Sequence, residues 1–192
     1  VILDHIDILT DTANEFSTFA KLYTQELSPV NLDELASDEV AMFDNKENIS
    51  FQYLGLKDAW VMAPKPQLIR VFVNLLTNAV QAIENQQKED EEKGITPVHG
   101  QINLSLRNSN KEGFYDIVVE DNGPGVKDEN RAKLFAPNFT TKSSGTGLGL
   151  AICRSILERC GGDIQYSKSF VLGGASFTIR IPKHVPGVPR TC

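Results

Sequence analysis

The chain has 192 residues, a formal net charge of -6 and an isoelectric point near 5.1. That length allows one sizeable core and a short appendage, and the acidic balance argues against nucleic acid as the main partner, because phosphate backbones select basic surfaces. The three cysteines lie outside any metal-like spacing, which is typical of a reducing compartment, and no apolar run is long enough to span a bilayer. We therefore expect a soluble, cytoplasmic piece of protein that holds any anionic ligand through local groups.

The first 25 residues carry a narrow apolar stripe. Its members recur with alternating steps of four and three residues, which keeps them on one side of a helix. They are Ile2, Ile6, Leu9, Ala13, Phe16, Ala20 and Tyr23. The pattern predicts a helix that pairs with a partner helix, and an amphipathic helix packed on its own domain is the alternative. His5 lies next to the stripe without any sign of nucleophilic activation and is interpreted as an ordinary helix residue.

A helix break follows at Ser28-Pro29, because proline lacks an amide hydrogen and restricts the residue before it. We place a domain boundary there. Asn31 is the expected N-cap of a helix that reaches about Asp44. Residues 49–54 alternate between apolar and polar types, and residues 59–63 are mostly apolar, so both are predicted strands. The short turn between them predicts that the two strands pair as a hairpin.

A long helix is predicted from Pro66 onwards, because apolar residues recur on a broad face up to Ile83. Asn74 and Asn78 stand one turn apart on this helix, where asparagine is a mediocre helix former and is costly to bury unpaired. Their amides need a polar partner, which is either a hydrated Mg²⁺ with triphosphate oxygens or neighbouring backbone groups. The polar and charged residues 86–94 are interpreted as a solvated loop.

The second half of the chain alternates strands with one helix. Residues 101–107 and 114–120 are predicted strands joined by a turn, and residues 163–167 and 175–181 are predicted to complete the sheet. Between these pairs, a helix is predicted at residues 148–160, with Gly161-Gly162 as its C-terminal cap. Cys153 and Cys160 lie seven residues apart on that helix and are interpreted as small core residues.

The first of two glycine-rich stretches follows the apolar run 117–119. Asp121 stands at its start, where the carboxylate can accept a hydrogen bond from an exocyclic amine. Gly123 and Gly125 have no Cβ, so the backbone can take positive φ values there and can come close to a flat ring. This pattern suits an adenine better than a phosphate.

The second stretch contains Gly145, Gly147 and Gly149 and leads into the predicted helix that begins near Leu148. Free N–H groups at a helix start attract anions through hydrogen bonds and the helix dipole. The glycine spacing is neither that of a dinucleotide-binding loop nor that of a Walker loop, and the protein-kinase motifs do not accompany it. The two stretches together indicate a nucleotide with its base at Asp121 and its phosphates at this helix.

Four segments in this order resemble the motifs of one known family. Residues 74–79 resemble its N box, residues 121–125 its G1 box, residues 134–135 and 139–142 its F box with the ATP lid, and residues 145–150 its G2 box. These motifs belong to the catalytic, ATP-binding domain of sensor histidine kinases in the GHKL superfamily, of the nitrogen-regulation type with a short lid. The resemblance covers about residues 29–183. Residues 1–28 resemble the end of the second helix of the dimerisation and phosphoacceptor domain, and residues 184–192 are expected to form a flexible tail.

The resemblance implies an α+β fold, a two-layer α/β sandwich with a mixed sheet and helices on one face, preceded by a coiled-coil helix. ATP would lie between the helices and a mobile lid, with Asp121 on the adenine amino group and Ser176 assisting through water. Asn74 and Asn78 would hold Mg²⁺ and phosphate oxygens. The expected catalytic residues are Asn74, Lys142 and Arg131, of which Arg131 would approach the γ-phosphate. The other expected nucleotide contacts are Gln81, Gly123, Gly125, Val126, Phe139, Thr140, Thr141, Gly145, Thr146, Gly147, Leu148 and Gly149.

The chain departs from the family pattern at two positions, and Asn74 distinguishes it from related hydrolytic ATPases. Gln81 stands where many relatives have a phosphate-contacting lysine, and Asn138 stands where the lid often has an aromatic residue. Asn74 stands where related hydrolytic ATPases have a glutamate as general base, and an amide cannot take a proton from water. Rapid ATP hydrolysis is therefore disfavoured, whereas phosphoryl transfer to a side chain that brings its own nucleophile remains possible.

His5, His99 and His184 lack the acidic neighbour and helical context of the family's phosphoacceptor histidine, so the acceptor is expected upstream in the full-length protein. The expected partners are a second copy, paired through the N-terminal helix, and the receiver domain of a response regulator. A membrane contact would involve only upstream segments. A non-catalytic nucleotide-binding module of the same fold and a GHKL ATPase of another machine are the alternative functions.

Overall fold

The computed structural model describes residues 25–140 and 146–185. The apolar stripe between Ile2 and Tyr23 and the expected tail beyond residue 185 lie outside these residues. The described strands are β1 (Ser28–Asn31), β2 (Ile49–Leu54), β3 (Trp60–Ala63), β4 (Gly100–Asn108), β5 (Phe114–Asp121), β6 (Asp163–Lys168) and β7 (Ala175–Pro182). The described helices are α1 (Leu32–Phe43), α2 (Lys65–Glu92), α3 (Asp128–Arg131) and α4 (Gly149–Arg159).

Five strands form one mixed sheet in the order β2-β4-β5-β7-β6. β2 runs parallel to β4, and the other neighbours are antiparallel. Alternate residues of the strands, such as Leu104, Ile117 and Ile179, join the apolar faces of α1, α2 and α4 in a single core. The predicted α+β fold with a mixed sheet is therefore confirmed.

The predicted hairpin between residues 49–54 and 59–63 is wrong. β2 pairs in parallel with β4, whereas β3 pairs with β1 in a separate antiparallel two-stranded sheet. The Asp33 carboxylate holds the segment that connects β2 to β3, because its Oδ1 accepts hydrogen bonds from Tyr53 Oη at 2.6 Å and from Leu56 N at 3.1 Å. β1 itself includes Pro29, which a two-stranded ribbon tolerates because each of its strands has one unpaired side.

The predicted solvated loop at residues 86–94 is also wrong, because α2 continues to Glu92. Glutamine, glutamate and lysine are good helix formers, and pairs four residues apart add support. Gln86 Nε2 donates to Asp90 Oδ1 at 2.8 Å, and Lys93 Nζ lies 3.4 Å from Glu89 Oε2. Charge in this segment therefore marks the solvated end of a long helix.

The predicted helix ends are confirmed where capping chemistry defines them. The Asn31 side chain accepts a hydrogen bond from Asp33 N at 3.1 Å and starts α1. Gly161 has a φ of +74° and ends α4, with Gly162 N donating to Leu157 O at 2.8 Å. No helix in the described part of the chain combines the length and the apolar character that crossing a bilayer requires.

Candidate functional site

Asp121 is the last residue of β5, and its side chain is only 3% exposed. Its Oδ1 accepts hydrogen bonds from Gly123 N at 2.9 Å and from Ala175 N at 3.1 Å. Burial raises the pKa of Asp121, the two amides lower it and nearby Glu120 raises it, with a net shift upwards. Neither amide donates to Oδ2, so the second carboxylate oxygen suits another neutral donor.

The turn after Asp121 is held from two sides. Asn122 fixes it to β4, because its Oδ1 accepts from Gln101 N at 2.8 Å and its Nδ2 donates to His99 O at 2.9 Å. Gly123 packs against α2, and a Cβ at this position would lie 3.4 Å from Ala82 Cβ and 3.1 Å from Asp121 Oδ1. The turn therefore brings its backbone directly against the long helix.

Gly174 and Ala175 contribute to this site, although the sequence analysis did not identify them. Gly174 N donates to Asp121 O at 3.1 Å, and Ala175 N binds the carboxylate. A Cβ on Gly174 would lie 2.4 Å from Asp121 Oδ1 and 2.7 Å from Gly123 N. Only glycine fits between these groups, and the adjacent pair Gly173-Gly174 before the last strand was the available signal.

Ser176 does not lie beside Asp121. The strand register pairs Ser176 with Glu120 on β5 and with Ser167 on β6. Directly paired residues share a face of the sheet and successive residues alternate, so Ser176 is on the face opposite to Asp121. The expected water-mediated role of Ser176 is therefore not supported, and the backbone amide of Ala175 occupies that side of the carboxylate.

Gly125 and Val126 complete the turn beside Tyr166 of β6. Gly125 has a φ of +71°, a conformation that favours glycine. Val126 N donates to Tyr166 Oη at 3.1 Å, and the Tyr166 ring packs on Phe177 with the ring centroids 5.5 Å apart. Tyr166 is thus a further residue that positions the turn, and its location in a half-buried strand gave no sign of this in the sequence.

Arg131 lies at the same end of the site as Asp121. Its Nη2 is 2.8 Å from Asp128 Oδ1, and its guanidinium carbon lies 5.7 Å from the centroid of the Tyr166 ring. These contacts tie Arg131 to the residue that holds Val126. They do not include the phosphate end of the site, where the resemblance led us to expect this side chain.

The other end of the site lies between α2 and α4. Asn74 Nδ2 donates to Cys153 Sγ at 3.1 Å, and a Cβ on Gly149 would lie 2.5 Å from Asn74 Oδ1. Gly149 is the first residue of α4, and the N-cap residue Leu148 makes no side-chain capping bond. Asn78 lies half-buried one turn further along α2. The structure therefore places Asn74 beside the first-turn N–H groups of α4.

The loop before α4 packs against the segment that follows α3. Gly147 has a φ of +70°, and a Cβ there would lie 2.6 to 2.7 Å from backbone atoms of Asn138 and Phe139. Asn138 has a φ of +63°, which asparagine tolerates better than an aromatic residue does. Phe139 and Leu148 pack partly on the core, and Thr146 Oγ1 accepts from Leu148 N at 3.4 Å.

The remaining expected contacts divide into two groups. Gln81 lies exposed on α2, three residues beyond Asn78, and Thr140 is exposed at the end of the described segment. Thr141, Lys142 and Gly145 lie outside the described residues.

The polar groups of the site fit a ligand that has different chemistry at its two ends. A buried carboxylate accepts hydrogen bonds from a neutral donor, whereas amide groups and a helix start suit anions and a hard cation. Among the described residues, no cluster of three or more His, Cys, Asp or Glu side chains could hold a metal ion. A cation at Asn74 and Asn78 would therefore share its coordination with oxygens of the ligand, as Mg²⁺ commonly does.

Comparisons with known proteins agree with this geometry. Residues 64–185 match the sequence profile of the family "Histidine kinase-, DNA gyrase B-, and HSP90-like ATPase". The sensor histidine kinase ZraS of Salmonella typhimurium is 36% identical over 186 residues, which cover 95% of this chain and 37% of ZraS. The chain spans about a third of the length of the curated relatives it matches.

Solved structures show the same similarity in three dimensions. The catalytic domain of histidine kinase ThkA has a TM-score of 0.68 and 31% sequence identity, covering 83% of this chain and 97% of that domain. A structure of ThkA in complex with the response regulator protein TrrA has a TM-score of 0.64 and 28% identity, covering 96% of this chain and 52% of ThkA. The residues matched by the family profile, 64–185, include both ends of the site.

Proposed function

The chain belongs to the histidine kinase-, DNA gyrase B-, and HSP90-like ATPase family, and we propose that it is the ATP-binding catalytic domain of a two-component sensor histidine kinase. In this proposal it transfers the γ-phosphoryl group of ATP to a histidine located upstream of these 192 residues. The observation that carries the proposal is Asp121, a carboxylate 3% exposed that binds two backbone amides and no cation among the described residues. Its Oδ2 would accept a hydrogen bond from the adenine amino group.

The other end of the site would handle the phosphates. Asn74 and Asn78 would hold Mg²⁺, which when bound neutralises phosphate charge and orients the phosphate oxygens. The first-turn N–H groups of α4 at Gly149 would bind phosphate oxygens. Thr141, Lys142 and Gly145 are proposed to add further phosphate contacts.

Position 74 has an amide where a general base would be needed to activate water, and this favours phosphoryl transfer over ATP hydrolysis. The Asn74 amide cannot remove a proton from water, whereas an imidazole nitrogen is itself a nucleophile. That nitrogen would form a bond to the γ-phosphorus as the bond to the leaving ADP oxygen breaks. The domain then needs only to position the two reactants and to neutralise charge.

Two described histidines have structural contacts that support an acceptor elsewhere. His99 Nε2 lies 2.7 Å from Ser50 Oγ, and its backbone carbonyl accepts from Asn122. His184 N donates to Trp60 O at 2.7 Å. Both residues belong to loops beside the strands, so neither lies on a helix of a phosphoacceptor hairpin.

We propose two protein partners for the full-length molecule. The first is a second copy, paired through the apolar stripe of residues 1–28. The second is a response regulator, because the related ThkA was solved with the response regulator protein TrrA. The proposal places the domain in the cytoplasm, with any membrane contact made by upstream segments.

A transfer experiment tests the proposal. The 192-residue chain is mixed with the acceptor hairpin of its full-length protein and with ATP labelled on the γ-phosphate, with and without Mg²⁺. We expect acid-labile label on the hairpin only when chain and Mg²⁺ are present, and its loss with Asp121→Asn. Nucleotide binding without transfer would identify a non-catalytic module, and rapid ATP hydrolysis that Asn74→Ala abolishes would identify an ATPase.

A further inference from the structure

The amide of Asn74 spans one turn of α4. Its oxygen lies beside Gly149 and its nitrogen donates to Cys153 Sγ at 3.1 Å. Gly149 and Cys153 are four residues apart, so they occupy the same face of the helix. Each end of one side chain from α2 therefore meets a different residue of α4.

The two ends of a primary amide have nearly the same shape but opposite hydrogen-bonding character. Shape alone therefore cannot decide which end points towards the start of α4. A thiol is a weak hydrogen-bond partner in either direction, and here its sulfur accepts from the NH₂ group, with Asn74 Nδ2 3.1 Å from Cys153 Sγ. Cys153 is fully buried, so solvent does not compete with the Asn74 amide for its sulfur.

We propose that Cys153 is a positioning residue that fixes the Asn74 amide with its nitrogen towards the helix interior and its oxygen towards the first turn of α4. This inference rests on the proposed function, because an oxygen at that point is the ligand that Mg²⁺ with nucleotide phosphates would use. Cys153 does not touch the nucleotide. It acts by preventing the amide from turning over, which would present NH₂ to the cation.

Nucleotide titrations with and without Mg²⁺ separate this role from simple packing. We expect Cys153→Ala to weaken binding of a non-hydrolysable Mg²⁺–ATP analogue about fivefold, the scale of one hydrogen bond, with little change when EDTA removes the metal. Cys153→Ser keeps an acceptor and should restore metal-dependent binding to within about twofold. Cys160→Ala, which removes the other buried cysteine of this region, should leave both affinities unchanged.

Equal losses with and without Mg²⁺, or no loss in Cys153→Ala, would overturn the proposal. A nucleotide-independent measurement is the NMR signal of the Asn74 side-chain NH₂, assigned by its disappearance in Asn74→Asp. We expect this signal to shift in Cys153→Ala and to stay in place in Cys160→Ala. An unshifted signal also overturns the positioning role. Failure of the unchanged chain to bind nucleotide would refute the proposed function, and the NMR result would still decide the role of Cys153.

Discussion

Two carboxylates on β5 are equally buried but have opposite surroundings. Asp116 is 4% exposed and accepts two hydrogen bonds from Arg180, from Nε to Oδ1 at 2.8 Å and from Nη2 to Oδ2 at 3.0 Å. Asp121 is 3% exposed and accepts from two backbone amides. Because five residues separate them, the two side chains lie on opposite faces of the sheet.

The surroundings change the pKa of the two groups in opposite directions. Burial alone would raise the pKa of Asp116, but the hydrogen bonds from Arg180 and Ser109 and the charges of Arg180 and Arg107 together outweigh it and the net pKa is lowered. Burial raises the pKa of Asp121, and its two amides do not compensate. Removing the charge of a buried carboxylate that pairs with a cation costs stability, whereas a buried carboxylate without a cation reduces stability and is a candidate for ligand binding.

The largest effect is expected for Asp116→Asn, which leaves the Arg180 guanidinium without its carboxylate partner. We expect a loss of about 2 kcal/mol in the free energy of unfolding, less than for a fully buried pair because the Arg180 side chain is 33% exposed. Urea unfolding measures this loss. ATP affinity, measured by calorimetry, should not change, and a parallel loss of affinity would show that the two faces are coupled.

Asp121→Asn should give the reverse result. We expect ATP binding to weaken at least about tenfold, because the amide would turn an NH₂ group towards the donor of the base. Stability should stay equal or rise, since the neutral side chain removes a buried charge while its oxygen can still accept from Gly123 N and Ala175 N. Unchanged affinity in calorimetry would refute the adenine assignment.

The pH dependence of stability should separate the same two residues. Asp116 has a native pKa below its ordinary value of 3.8, so its contribution is present above about pH 4 and is lost as pH falls through the lowered pKa. Asp121 has a native pKa above its ordinary value of 3.8, so its ionisation reduces the stability of the fold as pH rises from about 4 through the raised native pKa. We expect this in urea unfolding between pH 3 and 7. The loss in free energy of unfolding caused by Asp116→Asn should become smaller as pH falls, and the gain caused by Asp121→Asn should become larger as pH rises. The opposite slopes would contradict these assignments.

The smallest effect is expected for Tyr166→Phe, which removes the hydroxyl that accepts from Val126 N. The turn beside Asp121 would lose one support while the ring contact with Phe177 remains. We expect about threefold weaker ATP binding, on the scale of one hydrogen bond. Tyr53→Phe is the matched control, because its hydroxyl binds Asp33 at 2.6 Å in the connection after β2, and it should leave affinity unchanged.

The sequence was sufficient for features that depend on local chemistry. The cap at Asn31, the helix start near Leu148, the glycine stop at Gly161 and the polar pair on α2 all follow from residues within a few positions of each other. The described parts of both glycine-rich stretches also pack against α2, Gly123 beside Ala82 and Gly149 beside Asn74. Residue types with specific backbone or hydrogen-bonding properties explain this success.

The sequence was insufficient where strand register decides the outcome. The pairing of β2 with β4 joins Ile49 to Gly100, and the pairing that separates Ser176 from Asp121 joins residues more than fifty positions apart. A shift of one residue would exchange the two faces of a strand, and no local pattern fixes that choice. The contributions of Ala175 and Tyr166 were missed for the same reason. Ala175 reaches Asp121 only because β7 pairs with β5, and Tyr166 reaches Val126 only because β6 lies near the turn that follows β5.

The hydrogen bonds between Asp121 and the start of β7 also determine when the proposed base-binding pocket can form during synthesis. Asp121 is held through its carbonyl by Gly174 and through its carboxylate by Ala175, about fifty residues later in the chain. During synthesis on the ribosome the N-terminal parts emerge first, so the pocket stays incomplete until the final strand has left the exit tunnel. Under the proposed function, ATP can therefore stabilise only chains in which β7 has already been synthesised.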